Sequence, residues 1–493
     1  MLALGFGALT ALGDVPLLLV SVFLVAGLGA LLIPLEWLLW SLIVLTFFVQ
    51  GPVIKILLLP AAAWAPYGLS LLVFVRALID RIGYPSARES SRIGVDSSPM
   101  AQARSSVFLG PVPNVLGWVL SLYLLMFGVS ALINLPSPAQ LAVGLKTTLP
   151  FWSVTFALLF NRWEPKQIDR LWRWVPWGLA LQVPIVLYQV FVIVPRLRSA
   201  GDEYAFDAVV GSFGGDGGNS SFLVIYGIAA SILAIARAKA GVTNPWLAVL
   251  TVGFSIALTL AGEVKAAFFW VPLAFILAFH DEFLRRPGHL FLAVGGLMGF
   301  LVATALVYQA VHWRSSNAED LPLEIAAEHA ARYFFSPAEM DFHTGEISRG
   351  ASIMLWVNDA QTDWPNRLVG YGPAASRAKS VVAVGSVARR FDPLWIAATT
   401  ASMLLWDGGL IALVLFCALL IVGLRWALQG ARDAGLAPTQ RAWSRMAAGL
   451  FGVFLTMLVY DRALVDEPCT QLLLALLIGH LAWVRANRPG TVD

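Results

Sequence analysis

Cysteine and charged residues are scarce in this chain. Among its 493 residues, the two cysteines, Cys417 and Cys469, fall in or beside different hydrophobic runs. They supply neither a disulfide framework nor the ligand spacing of a metal site. Asp, Glu, Lys and Arg make up 13% of the chain and the net charge is +3, without any block of like charges. Nucleic acid is therefore excluded as a partner, because binding it needs a strongly basic surface.

Catalytic signatures with fixed spacing are missing as well. The chain has no zinc-ligand spacing, no Ser-His-Asp set and no phosphate-binding P-loop. We therefore expect neither a metal nor a cofactor. The first hydrophobic run has no basic segment before it and no clear cleavage site, so we interpret it as a retained helix and not as a signal peptide.

Apolar residues are abundant instead. They make up 58% of the chain, and the mean hydropathy is +0.76. A soluble domain has far more polar surface to cover, so most of the chain is expected to lie in lipid. The 19 Trp and 29 Phe suit aromatic belts at the two membrane interfaces. The predicted fold class is an all-α polytopic membrane protein.

Hydrophobic runs long enough to cross a bilayer recur along the chain. A spanning helix needs about 20 mostly apolar residues. About fourteen runs meet this length, or about twelve if the crowded first four form fewer spans. They begin near Leu2, Val15, Leu35, Ile56, Val107, Leu141, Val175, Ser221, Trp246, Ala266, Leu290, Leu410, Ala447 and Leu472.

The orientation follows from arginines and lysines in alternate loops. Short cytoplasmic loops carry an excess of these residues, so both termini are predicted to face the cytoplasm, with the chain in the inner membrane of a bacterium. The residues that define this side are Arg81, Arg88, Arg92, Arg104, Arg162, Lys166, Arg170, Arg173, Arg237, Lys239, Arg285, Arg286, Arg425, Arg432, Arg441 and Arg445.

The longest outer segment lies late in the chain, at residues 313–392. One helix is predicted to begin near Asp320 and to include His329, and a second is predicted over Ile347 to Ala360. A turn is predicted at Trp364, followed by a glycine loop. Residues 1–133 and 134–312 are expected to form transmembrane helices, with a short outer loop near 196–220. Residues 313–392 are expected to form a mainly helical periplasmic loop domain. The closing transmembrane helices are expected at 393–486, followed by a cytoplasmic tail at 487–493.

Ionisable residues at two short outer loops are candidates for a site. Arg196 and Arg198 precede a glycine-rich segment and break the charge rule, which suggests a bound phosphate. The alternative is an ordinary solvated loop, which is favoured for this segment taken alone. Glu263 and Lys265 lie between two apolar runs, where ionisable groups are costly and by default functional. A tight outer turn that exposes both to water is an equally good interpretation.

The late outer segment adds further candidates. Arg349 shares a predicted helix face with Trp356, so it is either an anion ligand or an arginine whose stem packs on the tryptophan. The loop beyond contains Gly370, Tyr371 and Gly372, whose glycines permit close approach to a ligand but also make any turn. Arg377, which follows this loop, is a candidate for binding the substrate.

Two more titratable residues are candidates on the same side. His343 is a candidate proton acceptor near neutral pH, although a lone loop histidine is more often solvated surface. Asp407 lies at the outer end of a late hydrophobic run, where it is either a site residue or an interfacial helix start. Each signal is weak alone, and the shared side of the membrane strengthens them together.

Basic side chains at an outer membrane surface suit one kind of chemistry. A sugar linked to a lipid diphosphate lies with its tail in the bilayer and its phosphates at that depth. Cleavage of the bond between sugar and diphosphate leaves negative charge on the leaving group, which Arg and Lys would stabilise. A carboxylate or a histidine would remove the proton from the attacking sugar hydroxyl.

The late outer segment resembles the O-antigen ligase and O-antigen polymerase superfamily. In that family an outer-loop arginine, a tryptophan a few residues on, and a Gly-x-Gly pair recur in this order, and here Arg349, Trp356 and GYGPAA match. SMLLWDGGLIALVLF resembles the family's acidic-x-Gly entry into the next helix, with Asp407 and Gly409 matching.

An earlier outer loop carries the same resemblance. The family has a Gly-x-Phe before an asparagine at a helix start, and Gly211, Phe213 and Asn219 match it in VVGSFGGDGGNSSF. The arginine that usually stands just before Gly-x-Phe is absent, and Arg196 or Arg198 is a candidate to replace it. Together these motifs cover residues 196–424.

The resemblance implies an inverting, metal-independent glycosyltransferase that uses undecaprenyl-diphosphate-linked glycans. It implies that Arg349 contacts the diphosphate or the glycan, and that Lys265 stands where many members have a Ser-Arg pair. The family's ligases use a histidine before the acidic-x-Gly element, where this chain has Ala398 and Thr399. We therefore expect polymerisation of an exopolysaccharide, capsule or O-antigen in preference to transfer to lipid A core.

The general base stays open among Asp207, Glu263, His343 and Asp407. Expected partners are the undecaprenyl-diphosphate-linked oligosaccharide, membrane lipid, and the chain-length regulator and flippase of the same pathway. A ligase is the first alternative function. A transporter of lipid-linked sugars would usually show two related halves, which this sequence lacks, and a structural scaffold would not need Arg349 or Lys265.

Overall fold

The computed structural model describes residues 29–55, 59–83, 115–161, 163–200, 205–214, 218–262, 264–285, 340–378 and 382–487, together with Gly27, Gly288, Gly295, Gly299, Val302 and Ser336. These residues are helical or irregular, apart from an isolated bridge between Met340 and Ile347. The helices are α1 (Leu35–Lys55), α2 (Ala65–Gly83), α3 (Val115–Asn134), α4 (Pro138–Thr148), α5 (Trp152–Phe160), α6 (Pro165–Arg173), α7 (Val175–Tyr188), α8 (Val194–Ser199), α9 (Gly218–Lys239), α10 (Pro245–Ala261), α11 (Ala267–Ala278), α12 (His280–Arg285), α13 (Arg349–Asn358), α14 (Trp364–Val369), α15 (Ser386–Arg390), α16 (Thr400–Arg432), α17 (Pro438–Tyr460), α18 (Ala463–Asp466) and α19 (Pro468–Ala486).

Eight helical stretches in the described residues are long and apolar enough to cross a membrane, or nine if the bent pair α4–α5 counts as one span. The predicted class, a polytopic helical membrane protein, is therefore confirmed. The eight are Leu35–Lys55, Ala62–Ile82, Val115–Asn134, Pro165–Ser199, Ser220–Lys239, Thr400–Arg432, Pro438–Tyr460 and Pro468–Ala486. The runs predicted near Trp246 and Ala266 form the shorter helices α10 and α11, and those near Leu2, Val15 and Leu290 lie outside the described residues.

Charged side chains gather at two opposite ends of the helices. At one end Arg237 binds Asp169 at 2.8 Å, and Arg445 binds Asp281 at 3.0 Å and also Glu282. We call this the Arg445 end. Tyr460 closes the other end of the same helix, α17, which is about 22 Å away because an α-helix rises about 1.5 Å per residue. Several basic residues predicted to be cytoplasmic thus meet acidic partners at one end of the bundle.

We call the opposite end the Arg377 end. It holds the junctions α3–α4, α17–α18 and α18–α19, and the segment 340–399 packs against it. Helices α9, α17 and α19 are the most enclosed of the long spans. The membrane in question and the direction in which the chain crosses it remain predictions.

One local prediction needs correction. A turn was expected at Trp364, but the Asp363 side chain accepts a hydrogen bond from Asn366 N–H at 3.0 Å and caps a new helix, α14. The first of the three closing spans was expected from Leu410, where the second part of α16 begins after the break at Gly409. The first part of α16 starts at Thr400, whose neighbour Thr399 forms a capping box with Ser402. The helix expected over Ile347 to Ala360 is confirmed as α13, whereas the one near Asp320 lies outside the described residues.

Gly409 interrupts α16 and lets α14 approach it. Its φ of +70° is non-helical, and a Cβ there would lie 2.6 Å from Gly370 N and would collide with the Leu368 carbonyl. A left-handed conformation is strained for any residue with a Cβ. The close contact of the outer segment with α16 therefore requires glycine at this position.

Replacing Gly409 by alanine is expected to lower the free energy of unfolding by about 1–3 kcal/mol, because strain of this kind has that cost. The measurement is the apparent melting temperature of the protein purified in detergent. Gly253→Ala is the matched control, since Gly253 lies within α10 with open space around its Cβ direction and alanine is favoured in helices. Equal melting temperatures for the two variants would contradict the packing described.

Candidate functional site

Asp407 is the centre of the hydrogen bonds that hold the glycine loop. Its two carboxylate oxygens accept from Ala374 N–H at 3.1 Å and Ser376 N–H at 2.8 Å. Its backbone carbonyl accepts from Gly372 N–H at 3.1 Å. The residue is only 4% exposed. Asp407 is therefore not an interfacial helix start, since it lies inside α16 and anchors the loop.

The loop lies close against α16 and α3. Tyr371 N–H donates to the Trp406 carbonyl at 2.8 Å, and the Tyr371 hydroxyl donates to Thr362 at 3.0 Å. Asn134 Nδ2 donates to the Gly370 carbonyl at 2.9 Å. Gly370 has φ +72°, and a Cβ there would lie 2.5 Å from the carbonyl carbon of Asp407. The two glycines of the predicted Gly-x-Gly motif are thus used for backbone-to-backbone packing.

Helix α4 supports the loop from the other side. Gln140 Nε2 donates to the Pro373 carbonyl at 3.3 Å. A Cβ on Gly144 would collide with Pro373, so the helix and the loop touch directly. Gln471 Nε2 of α19 donates to the Thr147 carbonyl at 2.9 Å. The loop, α4 and the start of α19 therefore form one continuous unit.

Beyond the loop lies a group of five charged residues, which we call the Arg377 cluster: Lys146, Arg377, Arg462, Asp466 and Glu467. Arg377 forms an ion pair with Asp466, and Arg462 Nε lies 3.1 Å from the other oxygen of that carboxylate. The side chain of Arg377 is 17% exposed, and burial lowers the pKa of its guanidinium. The charge of Glu467 acts on both Lys146 and Arg377. Arg377 and Arg462 thus share one carboxylate, and the charges of Arg377 and Glu467 act on Lys146.

Arg349 is bound to the end of α17. Its Nε donates to the Tyr460 carbonyl, and its guanidinium carbon lies 4.9 Å from the centre of the Tyr460 ring. The charge of Arg349 acts on the neighbouring Asp461. The guanidinium above the Trp356 ring belongs to Arg367, at 5.4 Å. Packing of Arg349 against Trp356, one of the two sequence interpretations, is therefore not how this arginine is placed.

Asp461 lies near Arg349 and is hydrogen-bonded to the start of α9. The residue is 9% exposed, and its Oδ1 accepts from Ala463 N–H at 3.0 Å. Its carboxylate also receives a hydrogen bond from Ser221, and its backbone carbonyl accepts from Thr400 N–H at 2.7 Å. Burial raises the pKa of Asp461 to about 6, against the opposing effect of hydrogen bonds and of Arg349. This carboxyl group therefore titrates close to neutral pH.

The Gly-x-Phe loop is held from inside the bundle. Gln189 Oε1 accepts from Gly211 N–H at 2.8 Å, and Gln182 Oε1 accepts from Ser212 N–H at 2.7 Å. Phe213 is fully buried and meets Phe222 edge to face at a centroid distance of 4.6 Å. Gly211 has φ +65°. These contacts give the matched glycine and phenylalanine a clear structural role at the start of α9.

Five predicted site residues lie at exposed positions: Arg196, Arg198, Asp207, Lys265 and His343. Arg198 lies 4.5 Å from the Phe206 ring. His343 lies at the tip of a turn in which Asp341 accepts its backbone N–H at 2.7 Å, and this bond is the main cause of the lowered pKa of Asp341. Within the described residues, no contact joins Lys265 or Arg196 to Arg349. Glu263 and the side chain of Asn219 lie outside what the structure describes.

Sequence reasoning missed the charges between the last two long helices. Asp461, Arg462, Asp466 and Glu467 fall within seven residues, between two apolar runs. Lys146 was also missed, inside a run that was predicted only as a span. Ionisable residues beside or within apolar runs are costly, and this argument was used for Glu263 and Lys265. The same argument, applied to every predicted outer loop and span, would have identified the charges at 461–467 and Lys146.

The described part of the site contains little empty space. A cavity of about 20 Å³ lies between Asp407, Tyr123, Trp152 and Gln471, which is room for about one water molecule. No group of three potential metal ligands occurs among the described residues. The arrangement offers basic side chains and one titratable carboxyl group, Asp461, and these suit the binding of an anion and the removal of a proton.

Replacing Asp407 by asparagine is expected to cost about 1–3 kcal/mol of stability, because an amide NH₂ would face a buried backbone N–H. Asp363→Asn is the control, since asparagine caps a helix as well as aspartate. Both variants are compared by apparent melting temperature and by trypsin cleavage after Arg377. Wild-type behaviour of the Asp407 variant in both measurements would show that the carboxylate does not hold the loop.

The charged residues at the Arg377 end do not by themselves identify a family. No protein-family model matches this chain, and no curated protein matches it in sequence. The function must therefore be argued from the motifs and from the geometry around Arg349, Asp407 and Asp461.

Proposed function

We propose that this protein is a membrane glycosyltransferase that polymerises a polysaccharide. It would transfer a glycan from an undecaprenyl-diphosphate carrier to a growing exopolysaccharide, capsule or O-antigen chain at the outer face of the inner membrane. The observation that carries the proposal is the nearness of Arg349 to the buried carboxyl group of Asp461 at the Arg377 end of the bundle, since Arg349 is bonded to the neighbouring Tyr460 carbonyl and its charge acts on Asp461. A cation for a leaving diphosphate and a base for an attacking hydroxyl are the two groups that this reaction needs.

The positions of the matched motifs support this proposal. Gly370 and Gly372 of one motif contact Asp407 of another. Arg349 of the first motif lies near Asp461, and Asp461 is hydrogen-bonded to Ser221 at the helix start that follows the Gly-x-Phe loop. Segments far apart in sequence thus meet at one end of the bundle. Motifs that form a single site must lie close together in the fold. Motifs that are only independent turns need not.

The chemical step needs no group beyond these side chains and the two sugars. The Asp461 carboxylate takes the proton of the acceptor hydroxyl as its oxygen forms a bond to the anomeric carbon of the donor. The bond from that carbon to the diphosphate oxygen breaks, and its electron pair leaves with the diphosphate. Arg349 stabilises the charge that develops on this leaving group. Attack from the face opposite the diphosphate inverts the anomeric centre.

Asp461 is a better base than the four residues considered from sequence. The carboxylate oxygens of Asp407 are both occupied by backbone N–H groups, and Asp207 and His343 are exposed. Glu263 lies outside the described residues. A base works best when its pKa is near the working pH, and burial brings the pKa of Asp461 to about 6.

Polymerisation is preferred to ligation because of the residues before α16. Where the family's ligases carry a histidine, Thr399 caps α16 and its hydroxyl is bonded to Ser402. This position therefore has a structural use and offers no proton acceptor of histidine's kind. A ligase remains the alternative function, and the glycan product distinguishes it from a polymerase.

A transporter of lipid-linked glycans is the second candidate function, and one observation favours it. The helices α4 and α5 are bent by 53°, and α16 is broken at Gly409. Discontinuous helices that meet beside an ionisable residue are common in transporters. Here the break at Gly409 packs against the glycine loop, and the sequence lacks the two related halves that transporters usually show, so polymerisation is the stronger proposal.

Replacing Asp461 by asparagine should reduce polymer formation by about 10²–10⁴-fold, because the general base is lost. The assay is the glycan length distribution in a strain that lacks the native protein and expresses each variant. For the wild type, polymer formation should rise with external pH up to about pH 6–7 and then level off, since Asp461 acts only when deprotonated and its pKa is about 6. The Asp461 variant should lose this pH dependence.

Asp341→Asn is the matched control, because Asp341 is an exposed aspartate in the same outer segment. Single repeat units on the carrier in the Asp461 and Arg349→Met variants would support a polymerase. Long glycans that stay lipid-linked would indicate a ligase, and carrier-linked units held inside the cell would indicate a transporter. Normal polymer in both variants, with normal amounts of inserted protein, would refute the proposed function.

A further inference from the structure

Lys146 occupies an unusual position at the bend between α4 and α5. It lies in the last turn of α4, three residues before the bend begins. Helix α2 packs on this bend, where Ser70 Oγ lies 2.7 Å from Ser153 Oγ and the Tyr67 and Phe151 rings are 5.2 Å apart. An ionisable side chain in an apolar helical pair is costly unless it has a partner or a function.

Two aromatic rings hold the Lys146 ammonium group. Its nitrogen lies 4.1 Å from the centre of the Trp64 ring and 4.7 Å from that of Tyr67. Aromatic faces attract a cation but leave its hydrogen-bond donors unused. In the part of the chain that the structure describes, Lys146 forms neither a hydrogen bond nor an ion pair. The ammonium group is thus positioned and still able to bind an anion.

Toward the protein, Lys146 faces the rest of the Arg377 cluster. Arg377 and Arg462 share Asp466, and Glu467 is the second carboxylate in the cluster. Asp407 also acts on Arg377, and Asp461 interacts with the charge of Arg462, so carboxylates compensate the two arginines. Lys146 is instead held by the faces of two aromatic rings. Its ammonium group is therefore the member of the cluster that suits a phosphate.

Toward the outside, Lys146 borders an apolar surface. Trp64 is 43% exposed, and so are the apolar side chains of Leu59, which precedes it in the chain, and of Leu145 and Leu149, which are close to Lys146 in the chain. These residues flank two membrane-spanning stretches, so the surface suits an acyl or isoprenoid chain. A cation with an aromatic shelf at the edge of such a surface is suited to a ligand that has a phosphate head and an apolar tail.

We propose that Trp64, Tyr67 and Lys146 form the lateral entrance for a diphosphate-bearing isoprenoid lipid, with Lys146 binding its phosphate and passing it toward Arg377. The choice of a diphosphate lipid over other phosphate lipids rests on the proposed function. The phosphate-binding role of Lys146 rests only on the cluster and on the apolar surface beside it. No bond is made or broken at this entrance.

The test measures binding to the full-length protein in nanodiscs of zwitterionic phosphatidylcholine, by native mass spectrometry. Undecaprenyl diphosphate is the probe, and phosphatidylglycerol and inorganic diphosphate are the comparison ligands. Lys146→Met should weaken binding of undecaprenyl diphosphate by about 10-fold or more, the size expected for one charge-assisted contact. Lys146→Arg should keep most of the affinity, which shows that the site still folds. Arg389→Met, at an exposed cation of the segment 340–399, should bind as the wild type does.

Each other outcome overturns a stated part of the inference. Equal affinity of the wild type and Lys146→Met would remove Lys146 from the site. If phosphatidylglycerol binds as tightly as undecaprenyl diphosphate, the entrance is only a general lipid contact. If inorganic diphosphate binds as tightly, the apolar surface has no role in binding. Asp461→Asn should retain binding of undecaprenyl diphosphate. If that variant also retains polymer formation, the proposed base fails while the entrance stands.

Discussion

The position of the outer segment depends on the carboxylate of Asp407. A buried carboxylate is stable only when its oxygens accept hydrogen bonds, and here the acceptable donors are the backbone N–H groups of Ala374 and Ser376. Gly409 breaks the helix just beyond, which gives the chain entering the loop room to reach the carboxylate. These contacts hold the segment 340–399 against α16. The positions of Arg349 and Arg377, which belong to this segment, depend on that attachment.

Electrostatics divides the bundle into two ends with different uses. At the Arg445 end, Arg237 and Arg445 bind the carboxylates of Asp169, Asp281 and Glu282, so the charges there are paired and hold helices together. At the Arg377 end, Arg377 and Arg462 share Asp466, Asp461 is buried near Arg349, and Lys146 is held by two aromatic rings. Burying such groups has a desolvation cost that pairing alone rarely recovers. In the function that we propose, an anionic ligand offsets this cost.

Hydropathy was a sufficient guide to most of the spans, because the bilayer requires long apolar helices and excludes most alternatives. The helix α13 was also predictable, since its apolar spacing and its capping Ser348 agree. The break at Gly409 and the capped start of α14 at Asp363 were missed. Both depend on a backbone conformation that forms only where two distant segments touch, and hydropathy has no information about that contact.

The candidate site was likewise only partly predictable from the sequence. From the residues alone it was possible to say that the chain is a polytopic helical membrane protein and that Arg349, Arg377 and Asp407 belong to one side of it, since charge distribution and span order decide sidedness. Only the tertiary structure decided that Asp407 is an anchor, that Arg349 lies beside Asp461, and that Lys146 lies near Arg377. These pairings join residues more than 100 positions apart, or depend on burial, which is a property of the packed bundle and not of any single segment.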